Sequence, residues 1–600
     1  MPSDITAFFN SMAGAFPYIT MVIRFLLPVL ALIIVIRCAR SLLREKLQAE
    51  EWGYLSLPNG AKIPLNHWEN IIGRSRSSDL YMEYPSLSRS HAAVIRDDAG
   101  SWKVYDLGAK SGVIVNNRAV KKAAPLKSGD IMVLGGVELV FFSYDQDTEI
   151  RQAAARRIPG RTIKPAATLF LVTIFQILLG LQLCISQASS LEISVPVGFA
   201  ALILMMWVCY IVTRALHRFA FEVETIAFFL STIGFAITAS SSPEFLYKQL
   251  LLLAIGILLY FAIGWMLRDL SRAKKLRWTI GWAGLVLLAL NVLLSPAVLG
   301  ARNWLTIPGT GISFQPSEFV KIAFVFAGSA TLDRLFTRRN LVLFIVYAGA
   351  CVIALALISD YGTALIFFVA YLVIAFVRSG NFATIFLSIG GAGLAGFLAL
   401  SAKAHLAARF ATWGKAWEYA SAGGFQQTRA MSASASGGLF GVGAGNGWFK
   451  TVFAANTDLV FGMISEELGL IIALLAIASV IVLAVFAVRS AATARSSFYI
   501  IAASAAAAIF IFQLSLNVLG CMDILPFTGV TFPFVSKGGS SLVACWGLLA
   551  FIKAIDTRQN ASFIVRLPKG SRRAARTGVM PEPVDMDREE PMDEPMEEID

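Results

Sequence analysis

The chain has 600 residues, 56% hydrophobic and only 15% charged, a balance that excludes an ordinary soluble domain and reads as a polytopic membrane protein. Its formal net charge of +12 does not signal nucleic-acid binding, because Lys and Arg gather in short loops between apolar runs, the positive-inside pattern. The six cysteines, Cys38, Cys184, Cys209, Cys351, Cys521 and Cys545, form no Cys-x-x-Cys pair and lie mostly in or beside apolar segments. They imply neither a metal site nor a disulfide framework.

Residues 1–15 carry no basic n-region and no clear cleavage site, so the apolar run at 16–36 is read as a retained anchor, not a signal peptide. Arg24 is its one charge, and Arg37, Arg40, Arg44 and Lys46 follow at once. That bias puts the C-terminal end of the anchor in the cytoplasm and Met1 outside. Residues 51–144 differ in kind, being mixed and charged. HAAVIR, a DDAG turn and SWKVYDL alternate as a hairpin, and DIMVLGG with VELVFF gives two more strands. The spacing predicts an all-β sandwich. A basic linker follows at 145–165.

Apolar segments of spanning length then recur at 166–186, 195–213, 221–240, 249–267, 279–298, 318–334, 341–358, 362–377, 383–401, 460–488, 498–520 and 541–556. With the anchor they make about thirteen spans. The basic loops alternate in step with that count, which leaves segments 300–317, 402–457 and 521–540 outside. The tail, 558–600, is basic and then strongly acidic, and is expected to be a disordered cytoplasmic segment. The fold class is therefore a polytopic all-α membrane protein plus a small all-β sandwich.

Within the sandwich, Gly73-Arg74, Ser88-Arg89-Ser90-His91-Ala92, Asp106-Leu107, Ser111-Gly112 and Asn116 together resemble a forkhead-associated (FHA) domain over 52–142. The resemblance implies a phosphothreonine-peptide site. Arg74 and Ser88 would hold the phosphate with charge-assisted bonds. Arg89 or Lys110 would assist, Ser111 would meet the peptide, and His91 would brace the loops. The family places an asparagine against the peptide backbone where this chain has the shorter Ser111, so a folded, non-binding adaptor stays open beside the binding reading.

In the membrane part, Glu318 and Lys321 stand three apart at the start of a span, share a helical face and can pair. Intramembrane charges are functional candidates by default, and a structural ion pair is the plainer reading. Ser359-Asp360-Tyr361-Gly362-Thr363 marks another outside helix edge. The glycine-rich run at 423–447 lacks a preceding strand, so it is no nucleotide fingerprint. Its glycines either let backbone approach backbone or offer amides to an anion. Residues 525–541, with Lys537 and Ser540, can line a pyrophosphate. Asp458 sits in AANTDLVFGMISEELG, where a long outside segment meets an apolar helix. A carboxylate half in water and half against hydrocarbon has a raised pKa, which suits a base meeting a lipid-linked substrate. Its bland reading is a helix N-cap. Glu466 and Glu467 are left open, with charge at a helix N-terminus the plainest role.

The ordered set RNW, FQPSE, SDYGT, GGLFGVGAGNG, NTD, EELG and PFVSKGGSS over 221–556 resembles the SEDS family, the RodA/FtsW/SpoVE type of bacterial cell-wall polymerase. The resemblance implies a glycosyltransferase that polymerises lipid II outside the plasma membrane, with Asp458 as its catalytic carboxylate and a class B penicillin-binding protein as partner. The helices at 16–36, 166–186 and 195–213 would be additions to the family's ten-span core. One base suffices for such chemistry because a lipid pyrophosphate leaves without an acid. Cations must steady that leaving group, and Arg302, Arg409, Lys415 and Lys537 are the candidates. Glu318, Lys321, Asp360 and Ser540 complete the expected substrate site. No cofactor or metal ligand set is implied, although a divalent ion (Mg or Mn) is compatible with a pyrophosphate. The FHA module would link the enzyme to a Ser/Thr kinase pathway. A lipid II flippase and a catalytically weak scaffold of elongation, division or sporulation are the competing readings.

Overall fold

The computed structural model describes residues 13–44, 49–145, 148, 165–188, 192–296 and 302–562, less 77, 98–99, 217, 219, 308–311, 333–337, 381, 403 and 559–560. The linker and the acidic tail therefore lie almost wholly outside the described residues, as do residues 1–12.

Eleven short strands, β1 (Gly53–Ser56) to β11 (Val137–Ser143), form two sheets. One runs β2-β1-β11-β10-β7-β8 and the other β4-β3-β5-β6-β9. The expected hairpin is β5 (Ala92–Arg96) with β6 (Trp102–Asp106), antiparallel with Val94 opposite Val104. Alternate residues of the two sheets, among them Ile72, Val94, Val104, Leu134 and Phe141, fill a dry core between them.

The helices are α1 (Phe16–Arg44), α2 (Pro165–Ser186), α3 (Ser194–Ala215), α4 (Glu222–Ser241), α5 (Leu246–Leu267), α6 (Leu270–Leu294), α7 (Pro316–Leu332), α8 (Arg338–Leu357), α9 (Tyr361–Ser379), α10 (Phe382–Ala402), α11 (Ala404–Thr412), α12 (Phe425–Gly437), α13 (Val460–Glu467), α14 (Leu470–Ala491), α15 (Ser497–Cys521) and α16 (Gly539–Ala554). Among the described residues ten are long and apolar enough to cross a membrane, not the thirteen expected. Helices α7 and α16 stand where spans were read but have 17 and 16 residues. The span read at 460–488 is two helices. Between them Gly469 takes φ +93°, and a Cβ there would meet the carbonyl oxygen of Leu439 at 2.4 Å. The break lets the glycine-rich segment lie directly on the backbone. Helix α6 begins at Leu270, well before the expected 279, because Asp269 accepts the N–H of Arg272 at 3.1 Å and caps it.

Helix α4 is the axis of the bundle, buried along the whole of its apolar window, with α1, α2, α13 and α14 against it. Several of its polar residues find partners inside, as Thr232 does in the amide of Gln176 at 2.9 Å. At one end an ionic cluster joins α1, α4 and α16. Lys553 meets Glu224 at 3.1 Å, Arg558 meets Glu222 at 3.2 Å and Asp556 at 2.8 Å, and Ser41 donates to Glu222 at 2.7 Å.

The sandwich is seated at that same end, on the turn between α14 and α15. His67 Nδ1 donates to the carbonyl of Ala494 at 2.7 Å, and the Trp68 N–H to that of Arg495 at 2.6 Å. Arg495 pairs with Glu50, and Ser497, the first residue of α15, donates to Glu69. The opposite end of the bundle carries the hairpin β12–β13 (Leu305–Ile307 with Ile312–Phe314), the residues before α9, the segment from α11 to α13, and the loop before α16.

Candidate functional site

Asp458 stands at this second end, half-buried. Ala454, at φ +62°, turns its carbonyl back to accept the N–H groups of Thr457, Asp458 and Leu459 at 3.1–3.2 Å. Three further elements pin the same stretch. Asn456 donates to Ser241 of α4 at 2.9 Å and accepts the Lys537 N–H at 2.8 Å, and Ser536 donates to the Thr457 carbonyl at 2.5 Å. The Asp458 carbonyl accepts from Asn517 of α15 at 2.9 Å. The N-cap position of α13 is Leu459, with no side chain capping it, so the capping reading of Asp458 is not what the fold uses. Burial pushes the Asp458 carboxyl up to about 7. A hydrogen bond from Thr457 and the charge of Arg409 oppose the rise, and Asp360 adds to it.

The glycine-rich segment is held by Glu466 and Glu467 at the C-terminal end of α13, which corrects the reading of these two as N-terminal charge. Glu466 accepts the N–H groups of Trp448 and Phe449 at 3.1 and 3.0 Å. Glu467 accepts those of Gly445 at 2.9 Å and Ser240 Oγ at 2.5 Å. The amides of Val442 and Gly443 go to the carbonyls of Glu466 and Glu467. Gly441, Gly443 and Gly445 serve close packing, and their amides are spent on the protein, not held out to an anion.

Beneath Asp458 runs a buried polar chain. Lys321 meets Glu318 at 2.7 Å and donates to Gln513 of α15 at 3.3 Å. Gln513 donates to Thr531 at 3.0 Å, which bonds Ser541 at 2.8 Å. Ser540 Oγ accepts the N–H of Gln315 at 3.0 Å, and the Gln315 amide donates to Asp360 at 3.1 Å. The other Asp360 oxygen caps α9 through the N–H of Thr363, also at 3.1 Å. Glu318 and Lys321 are 4% and 1% exposed and spend their charges on each other and on α15, a brace inside the bundle. Asp360 and Ser540 are likewise committed to holding elements together, and burial raises the Asp360 carboxyl.

The four candidate cations are not gathered alike. Arg302, Arg409 and Lys415 are exposed. Arg409, on α11, is the one whose charge reaches Asp458. Arg302 is fixed through its backbone, N–H to the Ile358 carbonyl at 3.0 Å and carbonyl to Asn291 at 2.9 Å. Lys415 lies on a turn that Asp523 clamps through the N–H groups of Gly414 and Ala416 at 3.1 and 2.9 Å. Lys537 instead lies over the Phe245 ring at 4.1 Å, with Glu244 and Lys248 nearby. Among the described residues no three His, Cys, Asp or Glu side chains gather as a metal-ligand set. Sequence reading missed Asn517, Gln513 and Asp523. The first two form an i, i+4 polar pair on an otherwise apolar helix, the signal that exposes them.

On the sandwich, the loops after β3 (Glu69–Gly73), before β5 and after β6 converge. Arg74 N–H donates to the Ser88 carbonyl and Ser75 N–H to that of Arg89, both at 3.0 Å. A Cβ on Gly73 would stand 2.2 Å from the Arg89 carbonyl oxygen, so only glycine lets these loops approach. Buried His91 braces them as expected. Its Nδ1 accepts the Ser88 N–H at 3.1 Å, which puts the ring proton on Nε2, donated to the Gly112 carbonyl at 3.0 Å. Arg74, Arg89, Lys110 and Ser111 are exposed and Ser88 half-buried, with Ser88 Oγ accepting the Lys110 N–H at 3.2 Å. These loops leave the far end of β3 from Glu69, which meets the bundle.

Residues 215–561 match the model of the cell cycle protein family of FtsW, RodA and SpoVE, and residues 70–135 match the FHA domain. The peptidoglycan glycosyltransferase RodA of Mycobacterium tuberculosis is 30% identical over 356 residues, 55% of this chain and 71% of that protein. A probable peptidoglycan glycosyltransferase FtsW of Borreliella burgdorferi is 28% identical over 349 residues, 55% of this chain and 92% of that one. Among solved structures, RodA of Thermus thermophilus aligns at 26% identity and a TM-score of 0.42, over 55% of this chain and 94% of that one. An FHA domain from Chlamydia trachomatis aligns at 27% identity and a TM-score of 0.15, over 16% of this chain and 99% of that one. Helices α1 and α2 and nearly all of α3 precede the family match. The chain belongs to the FtsW/RodA/SpoVE family and carries an FHA domain at its N-terminal side.

Proposed function

We propose that this peptidoglycan glycosyltransferase polymerises lipid II at the loop end of the bundle, with Asp458 as general base. The observation that carries the reading is Asp458 itself. Its stretch of chain is pinned from α4, from α15 and from the loop before α16, its side chain caps no helix, and burial pushes its carboxyl up to about 7. In the reaction the acceptor sugar hydroxyl gives its proton to the Asp458 carboxylate as its oxygen bonds the anomeric carbon. The bond from that carbon to the lipid pyrophosphate breaks, and the pyrophosphate leaves with the electron pair. Arg409 is the cation best placed to steady it, with Arg302 and Lys415 at the approach. Any divalent cation, Mg or Mn, is proposed as a counter-ion of the pyrophosphate. The naming of relatives as glycosyltransferases weighs against the flippase and scaffold readings.

The sandwich is proposed to bind a phosphothreonine peptide through Arg74, Ser88, Arg89 and Ser111, placing the enzyme under a Ser/Thr kinase. A class B penicillin-binding protein is the proposed partner for cross-linking. The loop end is outside and the sandwich cytoplasmic. A cysteine introduced at Ala455 is then labelled by an impermeant reagent in intact cells and one at Ser111 is not; the reverse pattern overturns the orientation. Purified protein is expected to polymerise labelled lipid II, and Asp458→Ala protein with an unchanged elution profile is not. Equal polymer from both would remove Asp458 from the chemistry.

A further inference from the structure

We propose that Asn517 is a positioning residue of the reaction, one that fixes Asp458 against the loop before α16. The inference rests on the reading of Asp458 as the base. Asn517 is 2% exposed and lies one turn past Gln513 on α15. Its amide nitrogen donates to two carbonyls, that of Asp458 at 2.9 Å and that of Val530 at 2.8 Å. Both neighbours can only accept, so the NH2 group must face them, and the flipped amide would set oxygen against oxygen.

The two carbonyls belong to segments more than seventy residues apart in the chain, and one side chain sets the distance between them. Next to Val530, Gly529 lies so close to the base that a Cβ on it would stand 3.2 Å from Asp458 Oδ2. The carboxylate therefore rests on the strip of backbone that Asn517 holds. Cys521, one turn further, reaches the same Asp458 carbonyl with its thiol at 3.5 Å. Gln513 separately ties Thr531 at 3.0 Å. Loss of Asn517 alone thus unties the Asp458 and Val530 carbonyls together and loosens the base with the strip beside it, while the Cys521 and Gln513 ties keep the loop from coming away. The charged groups that act on Asp458 are Arg409 on α11 and Asp360 before α9, and neither touches Asn517.

The test uses the full chain with labelled lipid II, comparing wild type, Asn517→Ala, Asn517→Leu and Asp458→Ala at matched folded concentration. Both Asn517 variants are expected to lower kcat by about tenfold or more, the scale of a small misplacement, with KM within about twofold. The acid limb of their rate profile should move below its wild-type position as the carboxyl leaves its buried seat. Wild-type rates in either variant overturn the proposal. So does an unmoved acid limb with losses that merely track folded protein, and so does rescue by Leu, which would make Asn517 a space-filler. Should wild type itself make no polymer, the reading of Asp458 fails separately and hydrogen–deuterium exchange decides. Asn517→Ala must then speed exchange in 454–459 and 529–532 while 439–449 stays unchanged; equal exchange in all three overturns it.

Discussion

The sandwich and the bundle each build a polar site, and they do so in opposite ways. On the sandwich the motif side chains Arg74, Arg89 and Ser111 stand in solvent, and backbone bonds with one buried histidine hold the loops that carry them. In the bundle most motif side chains are themselves the holding device. Glu318, Lys321, Asp360 and Ser540 are buried; the first two pair with each other and reach α15 through Lys321, the last two are joined through Gln315, and Asp458 is left at the edge of the network. The difference follows from the surroundings. Water satisfies a loop's polar groups, so a soluble site can leave them exposed, whereas polar groups inside a membrane bundle must pair within the protein. A motif residue in the membrane part is therefore more often a brace than a contact.

Breaking the brace should have the largest effect. Lys321→Ala leaves Glu318 buried without its cation, at a cost of about 3–5 kcal/mol, read as loss of folded protein in detergent. Restoring most of that loss by pairing Lys321→Met with Glu318→Gln would sharpen the comparison, because it would show that the pair is there for packing and not for substrate. On the sandwich, Arg74→Ala should remove about 1.5–3 kcal/mol of phosphopeptide affinity, measured by titration calorimetry, with the melting temperature of the chain unchanged. A fall in stability instead would blur the contrast between exposed contact and buried brace. His91→Ala is the smaller case of the brace type. Losing both ring bonds should destabilise the sandwich by about 1–3 kcal/mol, and peptide binding should weaken without being lost.

Much of this architecture was legible. Strand alternation gave β5 and β6 nearly to the residue, and apolar runs placed α2 and α3 within two residues of their observed ends. The break at Gly469 was not, because the helix-length apolar run that follows it reads as one span with 460–468, and a close backbone approach from 439–441 leaves no mark on local hydropathy. Asp458 was legible from its setting at an interface. The partners of Glu466 and Glu467 were not, since they are backbone amides some twenty residues upstream. Asn517 was overlooked because an amide in a mostly apolar helix belongs to no motif, and only its spacing from Gln513 hints at a shared polar face.

The most direct test of the central claim is the initial rate of lipid II polymerisation as a function of pH, for wild type and for folded Asp458→Ala. A base must be deprotonated to act, so the wild-type rate should fall about tenfold per unit once the pH drops below the carboxyl's value of about 7. It should level off above that value, and the variant should lose about a hundredfold or more at every pH. A wild-type rate that is flat across this range, or a variant that keeps its rate, would contradict Asp458 as the base.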